Sequence, residues 1–131
     1  MLLRFAAASA VASIAVSVPI LVVGLAPSLT FVQIYPLLII WCLAPLAWGV
    51  WALLAPTAWV PGRLPLWGAI LGIVAGLLVM FVLNLPARIF GQTVSVVFRG
   101  VAVLVLCAFY CLLWMLVRAA YRSLLARGQG Q

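Results

Sequence analysis

The chain alternates long apolar runs with short polar breaks. The runs fall at about residues 4–25, 31–55, 66–85 and 96–118. Each is near or above the roughly 20 residues that a helix needs to cross a hydrocarbon layer about 30 Å thick. The breaks carry turn chemistry. Residues 26–30 read Ala-Pro-Ser-Leu-Thr, where Ser28 or Thr30 is placed to cap the next helix. Residues 56–65 contain Pro61-Gly62, a turn dipeptide, and Pro65, which suits the first turn of a new helix. Residues 86–95 are the most polar internal segment, and Asn84-Leu85-Pro86 closes the run before them. The last residues, 128–131, are expected to be disordered. The pattern predicts an all-α integral membrane protein of four transmembrane helices, with short loops and no soluble domain.

The first run also fits a signal peptide in outline, with Arg4 before it and small residues near Ala26. Its length exceeds the usual 7–15 residues of such a segment, and Pro27 would follow the cleavage point, so a retained helix is expected. The second run contains Pro36 and Pro45. A proline inside a helix removes a backbone hydrogen bond, so Pro45 predicts a kink, or in the rival reading a re-entrant hairpin shielded by protein. Trp51, Trp59 and Trp67 flank the 56–65 turn, as an aromatic belt at a water interface would.

Two helix faces are unusually bare. Gly68, Gly72 and Gly76 recur every four residues in the third run, a glycine zipper that lets another helix approach closely. Ser9, Ser13 and Ser17 recur at the same spacing in the first run. With four spans these helices run parallel, and the stripes lie within about 3 Å of the same depth. They are expected to pack face to face, crossing at about −40°. The rival is that the glycine face binds another subunit.

Composition confirms the class and narrows the chemistry. Of the residues, 70% are hydrophobic, against roughly 45–50% in soluble domains. The seven basic residues are all arginine, and there is no Asp, Glu or His. Four spans put Arg4, Arg63, Arg118, Arg122 and Arg127 on one side and Arg88 and Arg99 on the other. The positive-inside rule then places both termini in the cytoplasm, in what is expected to be a bacterial inner membrane. Nucleic acid is not an expected partner, because the arginines sit at ends and turns.

The missing residue types exclude functions. Without His there is no imidazole base or haem ligand, and without carboxylates there is no acidic proton relay or acid/base pair. Small four-helix exporters that couple to protons rely on such a carboxylate. No enzyme activity and no cofactor are expected. Cys42, Cys107 and Cys111 are weak candidates for a soft-metal site, since an apolar setting makes thiols inert and cysteine packs as a small hydrophobe.

Arg99 stands in the first turn of the fourth helix, where the dipole disfavours a cation. Arg88 and Arg99 are therefore candidates to hold a lipid phosphate or a partner's carboxylate, with Gln33, Asn84, Gln92, Thr93 and Ser95 near the same rim. Arg118 and Arg122, at a helix C-terminus, are candidates to contact anionic lipid. Two readings follow. The first is a non-catalytic accessory or assembly subunit of a larger membrane complex, with anionic lipids and other subunits as partners. The alternative is a small homo-oligomeric transporter, channel or flippase for an anionic or apolar solute.

Overall fold

The computed structural model describes residues 1–25, 31–91 and 93–128, with side chains for all of these except 31–34, 89 and 90. It is helical throughout, in the order α1 (Leu2–Gly24), α2 (Phe31–Leu54), α3 (Leu64–Leu77), α4 (Leu85–Phe90) and α5 (Val96–Gly128). A 3-10 turn, Thr57–Trp59, lies between α2 and α3, and a π turn, Leu78–Val82, prolongs α3. Four helices are long and apolar enough to cross a membrane. Their outward faces carry large apolar side chains, such as Ile14, Leu21, Leu104 and Val97, that are mostly exposed. Bare apolar surface on this scale is stable only against lipid or protein. The turn at 26–30 and the final 129–131 lie outside the described residues, and so do the proposed caps Ser28 and Thr30.

The bundle is two close pairs, α1 with α2 and α3 with α5, joined mainly along α1 and α5. Small residues make each pair close. In the first, Gly49 of α2 sits under Phe5 and Ser9, so that a Cβ there would lie 2.6 Å from the Ser9 oxygen. Ala8, Ala12 and Ala52 are buried nearby in one core cluster. In the second pair the glycine stripe receives a row of α5 side chains in antiparallel register. Trp114 lies on Gly68, Leu106, Cys107 and Tyr110 surround Gly72, and Val103 lies on Gly76.

This differs from the expected pairing of the glycine and serine faces. α1 and α3 make no extended contact. The reason is shape. A glycine groove gains most dispersion contact when a neighbouring helix fills it, and α5 does so with the Trp114 and Val103 side chains at either end and its own backbone at Leu106 and Cys107 between them. Two bare stripes would leave each other unfilled. The serines also satisfy themselves. Ser13 Oγ donates to Ser9 O at 2.8 Å and Ser17 Oγ to Ile14 O at 2.7 Å, both within α1 and both exposed. Only Ser9 reaches across, donating to Pro45 O of α2 at 2.9 Å.

The prolines do not break their helices. α2 continues through Pro36 and Pro45, and α1 through Pro19. The polar segment after the third run contains the short α4, bounded by Asn84 (φ 46°) and Gly91 (φ 67°) in the left-handed region. α5 begins at a cap, with the Phe98 amide donating to Ser95 Oγ at 3.2 Å. It continues ten residues past Arg118 to Gly128, because 119–127 contains only helix-compatible residues and Tyr121 and Leu124 pack on the core. With 33 residues α5 is about 50 Å long, well beyond the ~30 Å hydrocarbon layer.

At Gly72 an added Cβ would stand 2.7 Å from the Leu106 carbonyl and 2.9 Å from Cys107 Cα, both backbone. Neither atom can yield without moving α5. Gly72→Ala should therefore cost about 1–2 kcal/mol, the overpacking penalty less the helix-propensity gain of alanine. Gly100, whose Cβ would meet open space, should tolerate the same change without loss. Thermal unfolding of the detergent-solubilised protein measures both.

Candidate functional site

The two close pairs leave a gap between them, and its two halves are filled differently. In one half, large aromatic rings bridge it. Trp48 of α2 packs on Tyr110 and Trp114 of α5, with ring centroids 5.1 and 5.9 Å away. Trp51 and Trp67 stack at 4.9 Å and exchange hydrogen bonds, each indole donating to the other residue's carbonyl at 3.1 and 2.9 Å. Trp59 meets Trp67 edge-on at 6.0 Å. The flanking tryptophans thus form a clasp between α2 and α3.

Beyond the Trp48–Tyr110 contact a cavity of about 250 Å³ remains. Every long helix lines it: Ala15 and Pro19 of α1, Trp41 and Ala44 of α2, Ala75 of α3 and Leu113 of α5. The π turn contributes Val79. π turns are often found at functional sites because they re-aim the residues after them. The walls are almost wholly apolar side chains. Pro19 and Pro45 nevertheless deprive the Ala15 and Trp41 carbonyls of their helical donors, and both residues line the cavity.

Ala15, Pro19, Phe109 and Leu113 also border a larger groove of about 670 Å³, which extends between α1 and α5 along Val18 and Val22. A third hollow of about 300 Å³ continues the α1–α5 seam past Val11 and Leu116 to Ala120. The central cavity therefore shares its wall with an apolar seam on the outside of the bundle. Such a site can hold hydrocarbon, and it offers no polar path for a hydrated ion.

The candidate residues of the sequence are dispersed. Gly68, Gly72 and Gly76 are buried on α5. Ser9 touches α2, while Ser13 and Ser17 face outward. Arg99 lies over the Phe81 ring at 5.8 Å, and its buried Nε has no hydrogen-bond partner among the described residues. Arg88 is exposed in the last turn of α4. Asn84 Oδ1 is buried without a partner among the described residues, Ser95 caps α5, and Gln92 and the Gln33 side chain lie outside those described. Arg118 Nη1 donates to Gly62 O at 3.3 Å, and Arg122 is exposed. Cys42 is exposed, Cys107 and Cys111 are half-buried, and no metal-ligating cluster forms among the described residues.

No family model, curated protein or solved structure matches this chain. The geometry of the chain alone carries the functional reading. Two residues matter more than the sequence pattern indicates, Pro19 in the cavity wall and Arg4 at the end of the bundle. Pro19 was the visible signal, a proline deep in the first apolar run. Arg4, in sequence a basic residue before the first span, is 7% exposed and donates from Nη1 to Ala55 O at 3.3 Å.

The tryptophan clasp has a measurable cost of removal. Trp67→Phe keeps most of the stack and loses one indole hydrogen bond, so it should destabilise by about 1 kcal/mol. Trp59→Phe, which loses only an edge contact, should cost less. Thermal unfolding in detergent compares the two.

Proposed function

We propose that the chain is a non-catalytic membrane protein that binds an apolar or amphiphilic molecule within the bilayer, as a small transporter or flippase does. The observation that carries this reading is the cavity lined by α1, α2, α3 and α5 and continuous in its wall with the α1–α5 seam. Ligand sites are concave, mostly apolar and found between bundle helices. Lateral access suits a solute that already resides among lipid chains. The apolar lining argues against a water-filled channel, and the missing acids argue against proton coupling through side chains.

The accessory-subunit reading loses part of its support. The glycine stripe is consumed by α5 and is not free for another subunit, while Ser13 and Ser17 of the serine stripe stay exposed. Arg118 spends a donor on the Gly62 carbonyl of the α2–α3 turn. Arg88, Arg122 and Arg127 also stay exposed, and anionic headgroups answer them as well as a partner's acids would.

Both termini are proposed to be cytoplasmic. The start of α1, the α2–α3 turn and the Arg118 turn of α5 converge at one end of the bundle. Arg63 is in that turn, and Arg122 and Arg127 follow Arg118 along α5. Arg88 and Arg99 follow the opposite ends of the spans, so the charge bias favours the convergent end as the inner one.

Native mass spectrometry from nanodiscs tests the reading. One retained amphiphile per chain is expected, together with its loss in Ala15→Trp, which places a ring where cavity and seam meet. A chain that retains nothing, and that co-purifies with a larger membrane protein, would return the reading to an accessory subunit.

A further inference from the structure

A second hollow lies at the convergent end of the bundle, about 230 Å³ in volume and lined by Arg4, Thr57, Val60, Tyr121 and Met1. Its centre is a buried cation. A guanidinium has five N–H donors. Arg4 uses one, on the Ala55 carbonyl, and has no other hydrogen bond or ion pair among the described residues. The chain has no Asp or Glu to neutralise it. A buried charge without a counter-charge is costly, so an anion from outside the chain is the natural complement. Thr57 and Tyr121 add hydroxyl-bearing side chains to the same walls. Guanidinium with hydroxyl donors is a chemistry suited to phosphate, which Arg grips in bidentate fashion.

The position of this hollow identifies the source of the phosphate. Arg4, Val11, Ala15, Val18 and Val22 fall on one face of α1, at helical spacing. The last four border the apolar seam between α1 and α5. On α5, Tyr121 adjoins Ala120, which ends the seam. From Val11 to Val22 the seam runs about 17 Å, close to the ~15 Å depth of one leaflet's hydrocarbon. Arg4 lies about 10 Å nearer the end of the bundle, at headgroup level. Ala7 and Ala8 are buried between the two, so the linker of a bound molecule passes over a closed stretch of seam.

We infer that this end of the bundle is a binding site for one anionic phospholipid, its phosphate in the Arg4–Thr57–Tyr121 hollow and an acyl chain along the α1–α5 seam. The inference rests on the amphiphile-binding reading above and specifies its headgroup class and leaflet. Arg4 differs from Arg122 and Arg127, whose side chains are exposed. The site also explains why a residue at the edge of the first span is arginine and buried.

The test uses the full-length protein in nanodiscs containing equal phosphatidylglycerol and phosphatidylcholine, read by native mass spectrometry. One retained phosphatidylglycerol per chain is expected, with preference over phosphatidylcholine reduced about tenfold in Arg4→Gln. Arg63→Gln, which removes an exposed charge at the same end, should leave the preference intact. If Arg4→Gln fails to fold by circular dichroism, Tyr121→Phe and Thr57→Val report on the same hollow and should weaken the preference several-fold. Equal retention of both lipids, unaltered by these variants, would overturn the headgroup site and leave amphiphile binding standing. Displacement of the bound lipid by millimolar inorganic phosphate would overturn the lipid as its occupant in favour of a free anion. Retention of neither lipid would overturn both readings.

Discussion

A helix without side chains on one face leaves a groove, and in a bilayer a groove is worth most when bulky side chains fill it. Lipid tails are as apolar as leucine, so burial from water gives helices little reason to associate. Close packing has to supply the attraction. The α3 glycines provide the groove, and Trp114, Tyr110, Cys107 and Val103 provide the ridge. Trp114 is completely buried, the largest side chain to be so, which shows how deeply the ridge is set. This contact fixes α3 against α5, and everything else is arranged around the pair. With α5 committed on one face, α1 meets it only along another, and that looser contact is where the seam opens.

The same logic explains why the interior is solid at one end and hollow at the other. Small residues draw α1 to α2 and α3 to α5, and what separates the two pairs must be filled by size. Trp48, Trp51, Trp67, Trp114 and Tyr110 do this in one half. Farther along, Ala15, Ala44 and Ala75 stand among larger apolar residues such as Leu37, Trp41 and Phe109, and the space stays open. A void costs stability in proportion to its volume when nothing occupies it. The alanines are thus a choice against stability at that position, of the kind binding sites make.

Much of the fold was legible in the residues, because bilayer thickness imposes a length on every span and turn residues mark the breaks. The spans and the 56–65 turn follow from these constraints alone. Partner choice between helices was not legible. Gly68, Gly72 and Gly76 announce a close approach but carry no information about who approaches. The matching depth of Ser9, Ser13 and Ser17 suggested α1, but hydroxyls that bond to their own helix need no neighbour. The decisive pattern was the large-residue row on α5, visible in sequence only when large and small faces are matched as complements. The π turn and α4 were hidden for another reason. They depend on tertiary packing around 78–91, where apolar content alone reads as uninterrupted span. Of the candidate site, Pro19 and the alanines were plainly present, yet a hollow is a property of what faces it and no single run reveals that.

Charge supplies the last constraint. A chain with seven arginines and no Asp or Glu cannot neutralise itself, so every guanidinium is answered by water, a carbonyl, an aromatic face or a group from elsewhere. The structure uses three of these answers in different places. Arg118 takes a carbonyl, Arg99 an aromatic face, and Arg122 and Arg127 exposure. Arg4 is the exception, since it is only 7% exposed while its carbonyl partner carries no net charge. A deep cation of this kind is an incomplete site by its own electrostatics. Its position in line with the open seam of α1 and α5 joins the polar and apolar halves of the molecule, and an amphiphile with a negative head is the one ligand class that answers both.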